Sequence, residues 1–456
     1  MRLTFEDGTL LLRDFAPSEP LPPAFVWDAR VDQWRAQALF YRDTLDFLRQ
    51  ARAEYTNRAP NYNTLSLQLN SPLLPHPHQQ ESLEGWRRHQ RRGVVVLPTG
   101  SGKSQVGLMA IADAQRSTLV VAPTIDLMNQ WYDLLCTAFG VEVGLLGGGY
   151  HEIHDLTVST YDSAYLHMER YGNRFGLVVF DEVHHLPGAM YSHAAEMAIA
   201  PYRLGLSATP ERADGRHVLL DTLVGPIVYE KGIRDLSGEY LATYRVERRQ
   251  VQMIAEERAA YDAARTQYQN FLTSKNVKLG SLKSWQQFVQ LSARSSAGRR
   301  AMLAYRQHRK IALGTTSKLR VLEDILKAHP RDRTLIFTND NETVYEISRT
   351  FLIPAITHQT RTKERKALLE DFNQGAHLAL VTSKVLNEGV NIPAANVAVV
   401  LSGSSTIREH VQRLGRILRQ REGKEAVLYE VVSKDTVEDR ISARRRRHPA
   451  YTKSTA

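Results

Sequence analysis

Short apolar runs alternate with helical patterns along two long stretches of the chain, from about residue 75 to 235 and from about 311 to 435. Near-continuous apolar strands separated by such crossovers are typical of parallel sheets that helices cover on both faces. The pattern therefore predicts two α/β domains in tandem. The apolar runs are 94–97, 119–122, 156–159, 177–180 and 203–206 in the first stretch, and 334–337, 378–381, 397–401 and 426–429 in the second.

The first 70 residues follow a different pattern. Alternating apolar residues flank Asp7-Gly8, a pair that supplies the positive φ angles of a tight hairpin turn. Apolar residues then recur at helical spacing between 41 and 48. A stretch from 60 to 77, rich in Pro and Asn, is typical of a linker. We therefore predict a small α+β domain ahead of the first parallel sheet.

The residues between the two α/β stretches indicate a helical insertion. They contain few apolar strands, and aromatic residues interleave with Lys and Arg. That interleaving suits contact with nucleic acid, although the same aromatic side chains can form a core. The predicted domains are 1–70, the small N-terminal domain; 71–239, the first parallel-sheet domain; 240–310, the helical insertion; and 311–456, the second parallel-sheet domain with a basic tail.

Charge and composition narrow the range of partners. The formal net charge of +10 favours a polyanion, because neutralising phosphates releases counterions. No apolar run approaches the ~18 residues needed to span a membrane, and the acidic N-terminus does not resemble a targeting peptide. The single cysteine excludes an internal disulfide and any multi-cysteine metal site. We expect a cytoplasmic protein with no membrane partner.

A phosphate-binding loop is predicted between the apolar run ending at Leu97 and a helical pattern that begins near Lys103. Backbone N–H groups at such a helix N-terminus surround an anionic group. Lys103 is expected at the β and γ phosphates of ATP, and the Ser104 hydroxyl on Mg²⁺. Leu97 occupies the first glycine position of the general pattern. The predicted nucleotide-binding residues here are Thr99, Gly100, Ser101, Gly102, Lys103 and Ser104.

Two carboxylates follow directly after the apolar run 177–180. Asp181 therefore emerges at the carboxyl edge of the sheet, where open α/β folds bind ligands. Asp181 is expected to hold Mg²⁺ through its water shell, and Glu182 to activate the attacking water. Far downstream, Arg416 and Arg419 lie three residues apart, hence on one helical face, and could neutralise the transferring phosphoryl group.

The order of these motifs resembles superfamily 2 helicases, and within them the XPB family, especially its archaeal and bacterial members. The resemblance covers nearly the whole chain. The segments that carry it are Gln79, 98–104, 122–124, 159–161, 181–184, 207–209, 335–337, 382–391 and 412–419, together with 26–30, 401–419, 426–430 and 444–447.

This resemblance implies two RecA-like domains, an N-terminal damage-recognition-like domain and a thumb-like insertion. It also implies a Mg²⁺- and ATP-dependent 3′-to-5′ DNA helicase or translocase that acts on forked or partly single-stranded DNA in nucleotide excision repair. A nuclease partner is implied too, so that we expect a monomer or a heterodimer. Three alternatives stay open: a double-stranded DNA translocase, a damage-recognition scaffold that recruits a nuclease with little strand separation, and an RNA helicase.

The resemblance assigns further residues. Gln79 would read the adenine, Gly389 and Asn391 would contact the nucleotide, and Arg416 and Arg419 would sense the γ-phosphate. The residues expected to contact DNA, or to couple hydrolysis to it, are Thr124, Thr160, Ser207, Thr209, Arg212, Asp214, Thr382 and Gln412.

Three positions depart from the family pattern. Ala213 stands between Arg212 and Asp214 in place of the central carboxylate of an Arg-Glu-Asp motif associated with strand separation. Asn391 stands where the family usually has aspartate, which keeps a hydrogen-bond acceptor but removes its charge. Gln79 lacks the usual Arg-x-Tyr before it. Because Ala213 lacks the carboxylate associated with strand separation, translocation without strand separation stays an alternative.

Overall fold

The computed structural model describes residues 1–16, 18–70, 74–212, 214–383, 395–402 and 425–445. The chain divides into two compact units, Met1–Asp235 and Leu236–Ala456. The first unit contains two sheets, and the second unit contains one. In the part of the chain that the structure describes, we find no helix with the length and apolar character to cross a lipid bilayer.

A small five-stranded sheet begins the first unit. Its elements are β1 Arg2–Glu6, β2 Thr9–Arg13, β3 Val26–Asp28, β4 Gln33–Gln37, α1 Tyr41–Gln50 and β5 Thr56–Asn57. The strand order is β3-β4-β2-β1-β5. Asp7 and Gly8 take positive φ angles of 46° and 72°, as the tight turn between β1 and β2 requires. Arg42 of α1 donates to the carbonyl oxygen of Gln90 at 2.7 Å and so ties this domain to the next.

An eight-stranded sheet forms the rest of the first unit. Its elements, with the helices between them, are α2 Pro77–Arg88, β6 Arg92–Val96, α3 Lys103–Ala114, β7 Thr118–Ala122, α4 Ile125–Phe139, β8 Val143–Gly147, β9 Tyr150–His151, β10 Leu156–Thr160, α5 Tyr161–Tyr171, β11 Leu177–Asp181, α6 His193–Glu196, β12 Tyr202–Ser207, α7 Leu220–Leu223, β13 Ile227–Glu230 and α8 Ile233–Leu236. The strand order is β13-β6-β12-β11-β7-β10-β8-β9. Strands β7, β10 and β11 are buried along their whole length, since helices cover both faces.

A six-stranded parallel sheet forms the core of the second unit. Its elements are β14 Thr243–Val251, α9 Ala255–Ser274, α10 Leu282–Ala293, α11 Ser296–Leu313, α12 Thr316–Ala328, β15 Thr334–Phe337, α13 Asn341–Phe351, β16 Ala355–Ile356, α14 Thr362–Gln374, β17 Ala379–Thr382, β18 Val397–Val400, β19 Glu425–Ser433 and α15 Val437–Arg445. The strand order is β14-β19-β18-β15-β17-β16. The predicted α/β class, with two parallel sheets and a small N-terminal domain, is confirmed, although β9 pairs antiparallel with β8 at the edge of the first of these sheets.

The segment 240–310 differs in one respect from the expected helical insertion. Its first part, β14, pairs with β19 along its whole length as an edge strand of the second sheet. The rest is helical, and α9, α10 and α11 enclose a small core that contains Leu272, Phe288 and Ala301. The aromatic residues of the insertion pack mainly into this core. The domain boundaries themselves stay predictions.

Candidate nucleotide-hydrolysing site

The loop between β6 and α3 has a backbone that glycine adopts most easily. Gly100 and Gly102 have φ angles of 92° and 85°. Gly102 directly precedes α3, so the first N–H groups of that helix face the loop. A Cβ atom on Gly102 would lie 2.3 Å from Nε2 of Gln79. The loop therefore has the form of an anion-binding helix N-terminus, and Gln79 packs closely against it.

Two side chains of α2 hold this loop through one carbonyl oxygen. Nε2 of Gln79 donates to the Ser101 carbonyl at 3.1 Å, and Nε2 of His78 lies 2.9 Å from the same oxygen. Because a carbonyl only accepts, the His78 bond requires the proton on Nε2. Burial lowers the pKa of His78. The sequence indicates Gln79 at this site but not His78, whose place before Gln79 resembles a turn.

The loop fits the phosphates of a nucleotide. The Thr99 hydroxyl is buried and has no hydrogen-bond partner among the described residues. An unsatisfied buried hydroxyl is costly, and a phosphate oxygen would satisfy it. Nζ of Lys103 donates to the Leu97 carbonyl at 3.3 Å, at the base of the same loop. Ser104, the predicted magnesium ligand, is the second residue of α3.

Asp181 ends β11 with both carboxylate oxygens hydrogen-bonded. Oδ2 accepts from Nε1 of Trp131 at 2.8 Å, and Oδ1 accepts from the backbone N–H of Glu182 at 2.9 Å. Burial raises the pKa of Asp181, whereas the Trp131 hydrogen bond and the positive charge of Lys103 oppose that rise. The structure thus brings the predicted loop cation and the predicted metal-binding carboxylate into one site.

Glu182 begins a short chain of contacts. Its φ of 46° lies in the left-handed region, which is uncommon for a residue with a side chain. Oε2 of Glu182 lies 3.4 Å from Nδ1 of His184, and that nitrogen lies 3.2 Å from Oγ of Ser207. Oγ of Ser207 also accepts from the backbone N–H of Thr209 at 3.1 Å. These contacts connect the residue expected to activate water with the residues expected to couple hydrolysis to DNA.

Arg212 connects the segment that follows Thr209 to His184. Its Nη1 donates to the carbonyl oxygen of His184 at 2.7 Å. Its Nε and Nη2 donate to the two carboxylate oxygens of Asp214 at 3.0 and 2.7 Å. This bidentate bond holds the pKa of Asp214 well below its ordinary value. Arg212 and Asp214 therefore make a direct pair, while Ala213 between them lies outside the described residues.

The remaining predicted DNA contacts occupy strand ends. Thr124 follows β7 and Thr160 ends β10, and their hydroxyls accept from backbone N–H groups as helix N-caps, each at 3.2 Å. Because β11, β7 and β10 are neighbours, both threonines lie at the same sheet edge as Asp181. In the second unit, Thr382 ends β17, and its buried hydroxyl has no partner among the described residues.

Five predicted site residues lie outside the described residues, so their roles stay predictions. They are Gly389, Asn391, Gln412, Arg416 and Arg419.

The contact between Trp131 and Asp181 cannot be predicted from the sequence. Trp131 lies in α4 with Met128 and Leu135, at the spacing of a buried helix face. That spacing is equally typical of an ordinary core residue. The sequence does not mark Gly107 as a contact of Trp131 either, although a Cβ atom there would lie 2.6 Å from Cη2 of the indole.

Comparisons with known proteins agree with these elements. Three family models match: the Xeroderma pigmentosum group B helicase damage recognition domain at 3–59, the res subunit of type III restriction enzymes at 72–212, and the helicase conserved C-terminal domain at 317–421. The DNA 3′-5′ translocase XPB2 of Sulfurisphaera tokodaii is 39% identical over 94% of this chain and 97% of its own length.

This chain belongs to the XPB family. The DNA 3′-5′ helicase XPB of Mycobacterium tuberculosis is 32% identical over 80% of this chain, and the match spans 64% of that relative. The predicted family and the predicted class, an ATP-hydrolysing helicase, are therefore confirmed.

Two solved structures show the same fold at low identity. The Hef helicase domain of Pyrococcus furiosus has a TM-score of 0.55 and 16% identity over 80% of this chain and 97% of its own. Dbp5 of Saccharomyces cerevisiae, bound to RNA and ADP BeF3, has a TM-score of 0.56 and 14% identity over 83% of this chain and 88% of its own. These likenesses support the helicase fold.

Proposed function

We propose that this XPB-family protein uses Mg²⁺ and ATP to move along DNA in the 3′-to-5′ direction and to open forked DNA. The observation that carries the proposal is the continuous set of contacts from Glu182 through His184 to Ser207 and Thr209, beside the Lys103 loop. Relatives named 3′-5′ helicases or translocases support the direction.

The chemistry follows from the placement of the side chains. Lys103 would offset charge on the β and γ phosphates, and Ser104 and Asp181 would hold magnesium, which when bound neutralises and orients the phosphates. Glu182 would orient the attacking water and take up its proton. Because His184 contacts both Glu182 and Ser207, a change at the nucleotide is passed to the coupling residues. The charge-neutralising role of Arg416 and Arg419 rests on the sequence alone.

We also propose that the protein works in nucleotide excision repair with a nuclease partner, as a monomer or as a heterodimer. The match of residues 3–59 to a damage recognition domain and the net charge of +10 support a DNA substrate. A scaffold with a silent motor is the second candidate. The contacts made by Lys103, Asp181 and Glu182 argue against a silent motor, because a scaffold does not need a buried, hydrogen-bonded carboxylate at a predicted metal site.

The test is the ATPase rate of Lys103→Ala and Glu182→Gln, with and without DNA. We expect both variants to lose about 100-fold or more of the DNA-stimulated rate, since one removes the phosphate cation and the other the general base. Lys327→Ala and Glu323→Gln are matched controls, because these residues form an exposed pair on α12. They should keep the wild-type rate.

Three results would argue against the proposal. Substantial turnover by both site variants would contradict the assignment of the site. A wild-type protein that binds DNA without hydrolysing ATP would favour the scaffold. Equal or greater stimulation by RNA than by DNA of the same length would favour an RNA helicase.

A further inference from the structure

Trp131, which the sequence does not mark as a site residue, contacts the predicted metal carboxylate. The indole is 1% exposed, and its Nε1 donates to Oδ2 of Asp181 at 2.8 Å. An indole has a single donor, so this bond uses all of its hydrogen-bonding capacity. Donation to a carboxylate is charge-assisted and hence stronger than a bond between neutral groups.

Helix α3 leaves space for the Trp131 ring because it has a glycine at the point of contact. Gly107 lies in α3, four residues after Lys103 and therefore on the same helix face. A Cβ atom at position 107 would stand 2.6 Å from Cη2 of Trp131, too close for any side chain without a shift of the ring. The helix that carries the phosphate-binding lysine thus also provides the space through which the indole reaches Asp181.

Two donors fix the Asp181 carboxylate from different directions. Trp131 holds Oδ2, and the backbone N–H of Glu182 holds Oδ1, so rotation of the carboxylate would break both bonds. Each carboxylate oxygen has a second lone pair, which remains for a metal-bound water. Groups that orient a metal ligand in this way typically change metal affinity by about 10- to 100-fold.

We propose that Trp131 is a positioning residue for magnesium: its indole N–H fixes the Asp181 carboxylate in the orientation in which that carboxylate binds the metal. The inference rests on the proposed function in one respect, namely that Asp181 holds magnesium. It assigns no step of the reaction to Trp131.

The experiment compares Trp131→Phe with Trp86→Phe. Both indoles are 1% exposed, and Nε1 of Trp86 also donates at 2.8 Å, but to the backbone carbonyl of Arg203. Each substitution thus removes one buried N–H donor and keeps an aromatic ring. The measurement is binding of a fluorescent ADP analogue to the full chain, titrated with Mg²⁺ and repeated in EDTA.

For Trp131→Phe we expect the Mg²⁺ concentration at half-saturation to rise about 10-fold, while nucleotide affinity in EDTA stays at the wild-type value. Trp86→Phe should lower the melting temperature without moving the Mg²⁺ half-saturation. If Trp131→Phe does not fold, Gly107→Ala replaces it, since the added methyl displaces the ring and should raise the Mg²⁺ requirement in the same direction.

A wild-type Mg²⁺ half-saturation in the Trp131 variant would overturn the inference. So would an equal shift in the Trp86 variant, because the effect would then follow from general loosening of the domain. The readout is binding rather than turnover. A wild-type protein that binds Mg²⁺ and nucleotide but hydrolyses no ATP would therefore refute the proposed function and leave this test intact.

Discussion

At the scale of single residues, the Ser207 hydroxyl connects two groups of residues with different proposed functions. It contacts Nδ1 of His184 and the backbone N–H of Thr209, and so lies between Glu182, the proposed general base, and the segment proposed to couple hydrolysis to DNA. We infer that the serine connects these two groups and takes no direct part in ATP hydrolysis.

We therefore expect Ser207→Ala to uncouple the motor. Basal ATPase should stay within about 2-fold of wild type, while stimulation by DNA falls by about 10-fold, the size of a typical coupling between two sites. Ser433→Ala is the control, because Ser433 is equally buried and bonds to the Ala312 carbonyl in the second unit. Equal losses of basal and DNA-stimulated rates in Ser207→Ala would show that the serine serves hydrolysis itself.

The sequence predicts those site residues whose chemistry depends on local context. Lys103 follows a glycine loop, and Asp181 follows an apolar run, so both positions can be inferred from a few neighbours. Trp131 lies 50 residues before Asp181, and its contact depends on how α4 packs over the sheet. No local sequence pattern contains that information, so the contact of the indole with Asp181 cannot be predicted from the sequence.

At the scale of elements, burial decides which strands the sequence predicts. The central strands are buried on both faces, so they consist of continuous apolar runs. Strand β14 lies at a sheet edge, and most of its side chains are polar and at least partly exposed. Its pairing with β19, far away in the chain, makes it a strand despite its composition.

A buried ion pair holds the last described helix of the second unit. Nζ of Lys318 in α12 donates to Oε2 of Glu438 in α15 at 2.7 Å, and the two side chains are 3% and 1% exposed. The same carboxylate oxygen accepts from the backbone N–H of Ser433 at 2.9 Å. Removing one of the two charges would leave the other buried without its oppositely charged partner.

We expect Lys318→Met to destabilise α15 by about 3–5 kcal/mol, because Glu438 then stays buried without its cation. Lys318→Met with Glu438→Leu should cost less than Lys318→Met alone, since no charge is stranded. Hydrogen exchange of the α12 and α15 amides measures both. Lys327→Met, which breaks an exposed pair, should cost about 0–1 kcal/mol. Equal effects of Lys318→Met and Lys327→Met would contradict this view of the buried pair.

At the scale of the whole molecule, the alternation of apolar runs and helical patterns is sufficient to predict two parallel-sheet domains. A parallel strand requires a crossover, so this architecture leaves a regular trace along the chain. The domain that precedes the first parallel sheet is also visible, because its hairpin turn depends on Asp7 and Gly8.

The most direct test of the motor is displacement of one strand from forked DNA that carries a single-stranded tail of defined polarity. We predict ATP-dependent displacement from forks with a 3′ tail, and none by Glu182→Gln on the same substrates. Displacement only from forks with a 5′ tail, or displacement that does not require ATP hydrolysis, would contradict the account.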